Sequence, residues 1–374
     1  MYITQPLLPL LGAEYGVSAA TAGTTISAVV LVIALSSSAY GPIADALGYR
    51  TVMAGGCAVL ALATLGCAFA PGFGALIALR GLQGLLVPAV SAVAVAYLGE
   101  LRGKRDPGAL VGAYIGATVL GGLCGRVGSG LIAQVAGWRA PFVVFAAITA
   151  LAAAGLFLSL EQTRHPVSRG TFAGAYREMA AHLKDRRLLG AYAVAASLFF
   201  GFIGVFTYLP YLLAAPPFSL STGAIAWFYA SYAAGVVAAP LAGRLSHWVT
   251  RRALIAAGFA VAMAGMLLTL AHALAAIAVG TVVLCAGMFV AQAIAPAYVN
   301  VTAQTAKAAA NSLYQAFYYS GAVLGSTLPG FALERYGWSG VVVTCVGSLT
   351  IGLVADLALC TGDAGAVDRE LTAP

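Results

Sequence analysis

Two arginines lie inside long apolar runs, and their type and place could do chemistry. Arg80 sits in a run at about 73–97 and Arg126 in one at about 109–136. A guanidinium within an apolar span is costly and usually functional. The two runs cross in opposite directions and centre near Leu85 and Gly122. At 1.5 Å of rise per residue this puts Arg80 about 7.5 Å and Arg126 about 6 Å from the midplane, on the same side. Cations at one depth repel each other unless something negative or strongly polar joins them. Neither run holds a carboxylate, so carbonyls, water or an anionic substrate are left for that role. Arg80 and Arg126 are candidate substrate contacts, against a purely structural or gating reading in which they bond neighbouring carbonyls.

Proton-linked chemistry would need an acid near the membrane. Of twelve Asp and Glu residues, ten fall in loops, the linker or the tail. Asp45, at a turn, and Asp356, in the last apolar run, remain, and they are the coupling candidates. Polar aromatics and amides collect in the second half. Tyr208, Tyr211 and Tyr298 lie near run ends and fit an interfacial belt. Tyr314, Gln315 and Tyr318 lie deeper and are candidates for a wet cavity, with Tyr114 the first-half counterpart of Tyr314.

These side chains need elements to hold them, and the chain repeats one such element. Gly112 to Trp138 reads GAYIGATVLGGLCGRVGSGLIAQVAGW, and Ser312 to Trp338 reads SLYQAFYYSGAVLGSTLPGFALERYGW. Shifted by 200 residues, Tyr114 falls on Tyr314, Gly121 on Gly321, Gly125 on Gly325, Gly130 on Gly330, and Gly137-Trp138 on Gly337-Trp338. Glycines at four-residue spacing let another helix backbone approach closely. Two similar halves about a shared centre is a recurring plan of membrane transporters.

Composition sets the class. Hydrophobic residues are 61% and charged residues 8% of 374, with mean hydropathy +0.94. Soluble domains carry roughly 25% charged residues, so the solvent for this chain is lipid. The net charge of +7 is no nucleic-acid signal, because the basic residues sit in loops between apolar runs. Six scattered cysteines form no CxxC pair or metal spacing. No cleavable signal peptide is evident.

Residues 1–11 are apolar but short of the roughly 20 a span needs. Full runs lie at about 21–43, 51–70, 73–97, 109–136, 139–160, 188–213, 223–246, 253–271, 273–299, 309–333 and 338–361. The expectation is an all-α polytopic protein of eleven spans plus a remnant. Its N-terminal half covers 1–160, a linker with a short amphipathic helix 161–187, the C-terminal half 188–361, and a polar tail 362–374. The seventh span begins near Leu188 and the repeat offset is about 200, so its counterpart would begin some 12 to 16 residues before Met1. An internal start, or a truncated first helix, is expected. Alternate loops hold fifteen Lys and Arg on one side and two, Arg139 and Arg335, on the other. The first side, with linker and C-terminus, is then cytoplasmic.

Gly41-Pro-Ile-Ala-Asp45-Ala-Leu-Gly48-Tyr-Arg50 resembles the G-x-x-x-D-R-x-G-R-R loop of the major facilitator superfamily, with Ala46 where the family has arginine. Its second copy, Gly243 to Arg252, has His247 in place of the acid. A glycine there permits a tight crossing, and the acid can meet a helix N-terminus or a basic partner, so Gly41, Asp45, Gly48 and Arg50 are gating candidates. Arg80-Gly-Leu-Gln83-Gly84 is similar to the family's R-x-x-Q-G motif. Gly125-Arg126-Val-Gly128-Ser-Gly130 is similar to the G-P-x-x-G-G element of its antiporters, with arginine in place of proline. The start Tyr2-Ile-Thr-Gln5-Pro6-Leu-Leu-Pro9 resembles a bacterial branch of sugar- and drug-efflux permeases, and Gln5 joins the candidate substrate contacts. The resemblance covers nearly the whole chain.

The resemblance implies a fold of two six-helix halves. It implies secondary transport of a small solute across a bacterial inner membrane by alternating access, with efflux by proton antiport. Uptake or facilitated diffusion of a small organic anion is the alternative that Arg80 and Arg126 suggest. A non-transporting membrane receptor, or a defective shortened product, is the alternative of another class. There is no phosphate loop, H-E-x-x-H or nucleotide fingerprint. No enzyme, cofactor, metal or nucleic-acid partner is expected, and the chain is read as a monomer in a lipid bilayer.

Overall fold

The computed structural model describes residues 2–100, 107–160 and 179–360. The expected amphipathic helix and linker within 161–178, the basic loop at 101–106 and the tail at 362–374 lie outside them. Every regular element among the described residues is helical.

The chain divides into two compact units. The first comprises Met1–Arg169 and Leu213–Tyr229, the second Gly170–Leu212 and Ala230–Pro374.

In the first unit a 3₁₀ turn, Gln5–Leu7, leads into α1 (Leu8–Tyr15). Then come α2 (Ala19–Ser36), α3 (Tyr40–Leu47), α4 (Tyr49–Ala68), α5 (Phe73–Glu100), α6 (Pro107–Ala136) and α7 (Ala140–Ser159). The Ser18 hydroxyl caps α2 by accepting from the Thr21 N–H at 3.2 Å, which satisfies one donor that the first turn leaves open. Helix α4 packs on both α5 and α7, and α2 packs on α5. Within this unit α6 also packs on α9 (Thr222–Trp227).

The second unit contains α8 (Arg186–Ala214) up to Leu212, then α10 (Ala234–Leu245), α11 (Arg251–Leu268), α12 (Leu274–Thr302), α13 (Lys307–Gly325) and α14 (Leu328–Leu359). Helix α12 lies against α11 and α10, and α11 against α14.

Ten helices among the described residues are long and apolar enough to cross a membrane. Helix α13 is not one of them, because Lys307, Asn311, Tyr314, Gln315 and Tyr318 lower its apolarity. The run expected at 309–333 divides in two. Helix α13 stops at Gly325 and α14 opens at Leu328. Pro329 has no N–H to return to the Gly325 carbonyl, so the bond that would bridge this break is missing. Helix α14 is itself two helices that meet at Gly337, whose φ of 65° and ψ of −157° are non-helical. Its repeat partner Gly137, φ 79°, sits between α6 and α7. A positive φ is cheap only for glycine, which explains why the Gly-Trp pair recurs.

Candidate functional site

The segment Tyr2 to Gln5 meets both arginines. Arg80, on α5, is fully buried, and Arg126, on α6, is 4% exposed. Arg80 donates from Nε to the Thr25 carbonyl at 3.0 Å, from Nη1 to Gln83 Oε1 at 2.7 Å, and from Nη2 to Thr4 Oγ1 at 3.4 Å. Arg126 donates from Nε to Gln5 Oε1 at 2.7 Å and from Nη1 to its own helix at Gly122 O, 2.9 Å away. Thr4 and Gln5 are adjacent, both buried, and each serves one guanidinium. The turn Gln5–Leu7, opened by Pro6, fixes them there.

Aromatic faces complete the setting of Arg126. Its guanidinium carbon lies 4.3 Å from the centroid of Tyr2 and 6.0 Å from that of Tyr229. A desolvated cation over such a face gains about 2 kcal/mol. The acceptors named above are all neutral oxygens.

Gln83 passes this polarity on. Its Oε1 is held by Arg80, and its Nε2 donates to Thr64 Oγ1 at 2.8 Å. Gln83 and Thr64 line a cavity of about 160 Å³ together with Ile3, Gly121, Gly125 and Thr149. A side chain at Gly121 would meet nothing within 4 Å, and one at Gly125 would come only to 3.8 Å from Ile3. In this unit these two repeat glycines border open space.

Their counterparts close a crossing. A Cβ at Gly321 would collide with the backbone of Ala196, and one at Gly325 with that of Phe200. So α13 uses the same glycine spacing to seat α8.

The other expected site residues are spread out. Tyr114 donates its hydroxyl to the Ser91 carbonyl at 3.0 Å and ties α6 to α5. In the second unit Tyr314 is buried and its hydroxyl has no hydrogen-bond partner. It stacks on Tyr318, which lies on Phe199 at 3.8 Å. Gln315 is exposed. At the turn, Gly48 has φ 85° and separates α3 from α4. Gly41 is exposed, and Asp45 on α3 is half-buried. Arg50, on α4, lays its guanidinium over the Phe157 ring of α7 at 4.1 Å. Asp356, near the end of α14, is fully buried, and neither carboxylate oxygen meets a backbone N–H or a charged donor at hydrogen-bonding distance.

Sequence reasoning missed Thr4, Thr25, Thr64, Tyr2 and Tyr229 as partners of this cluster. A usable signal existed for Gln83, three residues after Arg80 and so on the same helix face. Nothing in the spacing links residue 4 or 5 to positions 80 and 126.

The family described as the Major Facilitator Superfamily matches residues 1–309. The MFS-type transporter YybF of Bacillus subtilis is 28% identical over 343 residues, covering 91% of this chain and 85% of that protein. The inner membrane transport protein YnfM of Escherichia coli is 31% identical over 359 residues, covering 95% and 85%. Among solved structures, a mutant of the nucleoside transporter NupG superposes with a TM-score of 0.80 at 14% identity, covering 96% of this chain and 95% of that one.

Proposed function

The chain belongs to the major facilitator superfamily, and from that premise we propose that it is a secondary active transporter that expels a small solute in exchange for protons. That it is a multi-pass membrane transporter and no enzyme follows from the family. Efflux, proton coupling and the residue roles are our own reading.

One observation carries it: two arginines are buried in the first unit, and Gln83, which accepts from Arg80, and Gly125, the residue before Arg126, line its cavity. Removing a charge from water costs several kcal/mol unless it is well partnered, so two guanidinium groups kept inside the first unit point to a use beyond packing. In this reading Arg126, Arg80 and Gln5 contact the solute, with Tyr114, Tyr314, Gln315 and Tyr318 offering further polar surface. Gly41, Asp45, Gly48 and Arg50 form a gating turn, and Asp45 and Asp356 carry the proton coupling. Helix α13 counts as a further span in an arrangement of two six-helix halves, 1–160 and 188–361, joined by a linker. The transporter acts as a monomer in the inner membrane, with its C-terminus in the cytoplasm.

The same arginines favour a second reading, uptake or facilitated diffusion of a small organic anion. Counterflow in proteoliposomes across sugars, organic anions and cationic drugs separates the two. Antiport requires substrate-driven proton flux, whereas exchange of an anion without proton flux supports the second reading. Arg126→Ala is expected to abolish exchange while membrane insertion stays near the wild-type level. Arg126→Lys should not restore it fully, because lysine lacks the planar fork. Wild-type exchange by the alanine variant would return Arg126 to a structural role.

A further inference from the structure

The corner where α8 begins and α14 ends holds a buried acid for which helix packing alone gives no use. Asp356 is fully buried, and neither oxygen meets a backbone N–H or a charged donor at hydrogen-bonding distance. An ionised carboxylate left in this condition costs several kcal/mol. Something must join it or neutralise it.

Its neighbours limit what that can be. From α11, Arg252 acts on it electrostatically, and the Cys360 thiol just past α14 comes near enough to act as a weak donor to it. From α12, the Tyr298 hydroxyl reaches the same thiol, and it feels the charge of Arg187 on α8. The Cys360 thiol lies 3.9 Å from the Arg187 carbonyl. Two guanidinium groups in one corner repel a metal cation, and no cluster of three metal-ligating side chains occurs among the described residues. A proton adds no separate charged body and fits.

The repeat supplies an internal comparison. Arg252 corresponds to Arg50, and Asp356-Leu357 corresponds to Leu156-Phe157. In the first unit Arg50 of α4 lies over the Phe157 ring of α7. In the second, Arg252 of α11 donates to the Leu357 carbonyl of α14. The same arginine clamps the same pair of helices in both units. At the matching position the second unit has Asp356 and the first has Leu156. The first unit builds this corner with Leu156, so the acid is not a requirement of the packing.

We propose that Asp356 is the proton-binding group of the second unit, and that Arg252 is its exchangeable counter-charge. With Asp356 protonated, Arg252 rests on the Leu357 carbonyl, as seen here. When the carboxyl O–H breaks and its proton passes to water at this end of the helices, the carboxylate accepts an N–H from Arg252. The buried Arg252 Nε has no hydrogen-bond partner in the present arrangement. The guanidinium then lets go of Leu357, and the hold of α11 on α14 changes with the proton. This deepens the proton-coupled reading above and rests on it for its role in transport, but the proton site can be tested alone.

The test is infrared difference spectroscopy of the full chain in lipid nanodiscs during a pH titration. A buried protonated carboxyl should titrate in the wild type, persist in Asp45→Asn and vanish in Asp356→Asn. Arg252→Gln should move the midpoint by roughly one pH unit or more. Should Asp356→Asn fail to fold, Asp356→Leu copies the first unit, and it is expected to fold and to lack the signal. A carboxyl signal unchanged in either Asp356 variant overturns the proposal, as does a wild type with no such signal. In proteoliposomes, Asp356→Leu should lose substrate-driven proton flux, and retained flux also overturns the proposal. If the wild-type chain exchanges no solute at all, the transport reading fails while the titration result stands.

Discussion

Two tryptophans at matching places in the repeat have different partners. Trp338 donates its indole N–H to Thr269 Oγ1 at 3.1 Å. Trp138 is buried, and its Nε1 has no acceptor. Thr269 follows α11 directly, and its counterpart after α4 is Phe69, which is 72% exposed. A buried donor left unmade costs about 1–3 kcal/mol. Phe69→Thr places a hydroxyl where the second unit has one and gives up little burial. It is expected to stabilise the first unit by about 1 kcal/mol, read as a higher Tm in detergent or nanodiscs. An unchanged or lower Tm would mean that residue 69 cannot reach Trp138. Around the arginines the logic is the reverse. There both guanidinium groups meet acceptors, and Thr4 and Gln5 are the ones that come from farthest away in the chain.

At the level of elements, one glycine pattern does two jobs. On α13, Gly321 and Gly325 let α8 come within backbone contact, as small residues do in lipid, where close packing must replace the hydrophobic effect. On α6, Gly121 and Gly125 leave a cavity open. The two alanine substitutions should therefore differ. Gly321→Ala forces α8 outwards and is expected to cost about 1–3 kcal/mol. Gly121→Ala meets no atom and, with alanine the better helix former by roughly 1 kcal/mol, should be neutral or stabilising. Thermal unfolding of both variants decides it, and equal destabilisation would show that the halves use their glycines alike. At Gly137 and Gly337 the repeat does agree: both have a positive φ where one helix turns into the next.

For the whole molecule the controlling quantity is the side on which charge lies. Carrying a lysine or arginine across the hydrocarbon is unfavourable, and on that ground our reading keeps the basic loops inside. Our reading puts the connection between α11 and α12 outside and the one between α12 and α13 inside. In a cysteine-free background, His272→Cys should react with an impermeant thiol reagent on intact cells. Lys307→Cys should react only after permeabilisation. The opposite pattern would invert the topology and place the corner around Asp356 on the outer side.

Class, membrane solvent, repeat and family were legible in the sequence. Composition and apolar run length sum over neighbouring residues and need no partner to be read. The Gly41–Arg50 turn, the Arg80-Gln83 pair and the offset of 200 were legible for the same reason. Helix ends were less so: Pro329 and Gly337 divide the late runs differently from hydropathy, because a missing N–H and a positive φ act on single residues and leave mean apolarity unchanged. The site depended on tertiary structure. Gln5 reaches Arg126 across 121 residues of sequence and Thr4 reaches Arg80 across 76. Which oxygen meets a buried guanidinium is decided by the depth and rotation of helices that the chain order does not relate. Packing likewise decides that the glycines of α6 border a cavity while those of α13 seat a helix, and that Asp356 is sealed away beside Arg252. The energy of a buried polar group lies in the atoms that happen to face it, and those come from other helices.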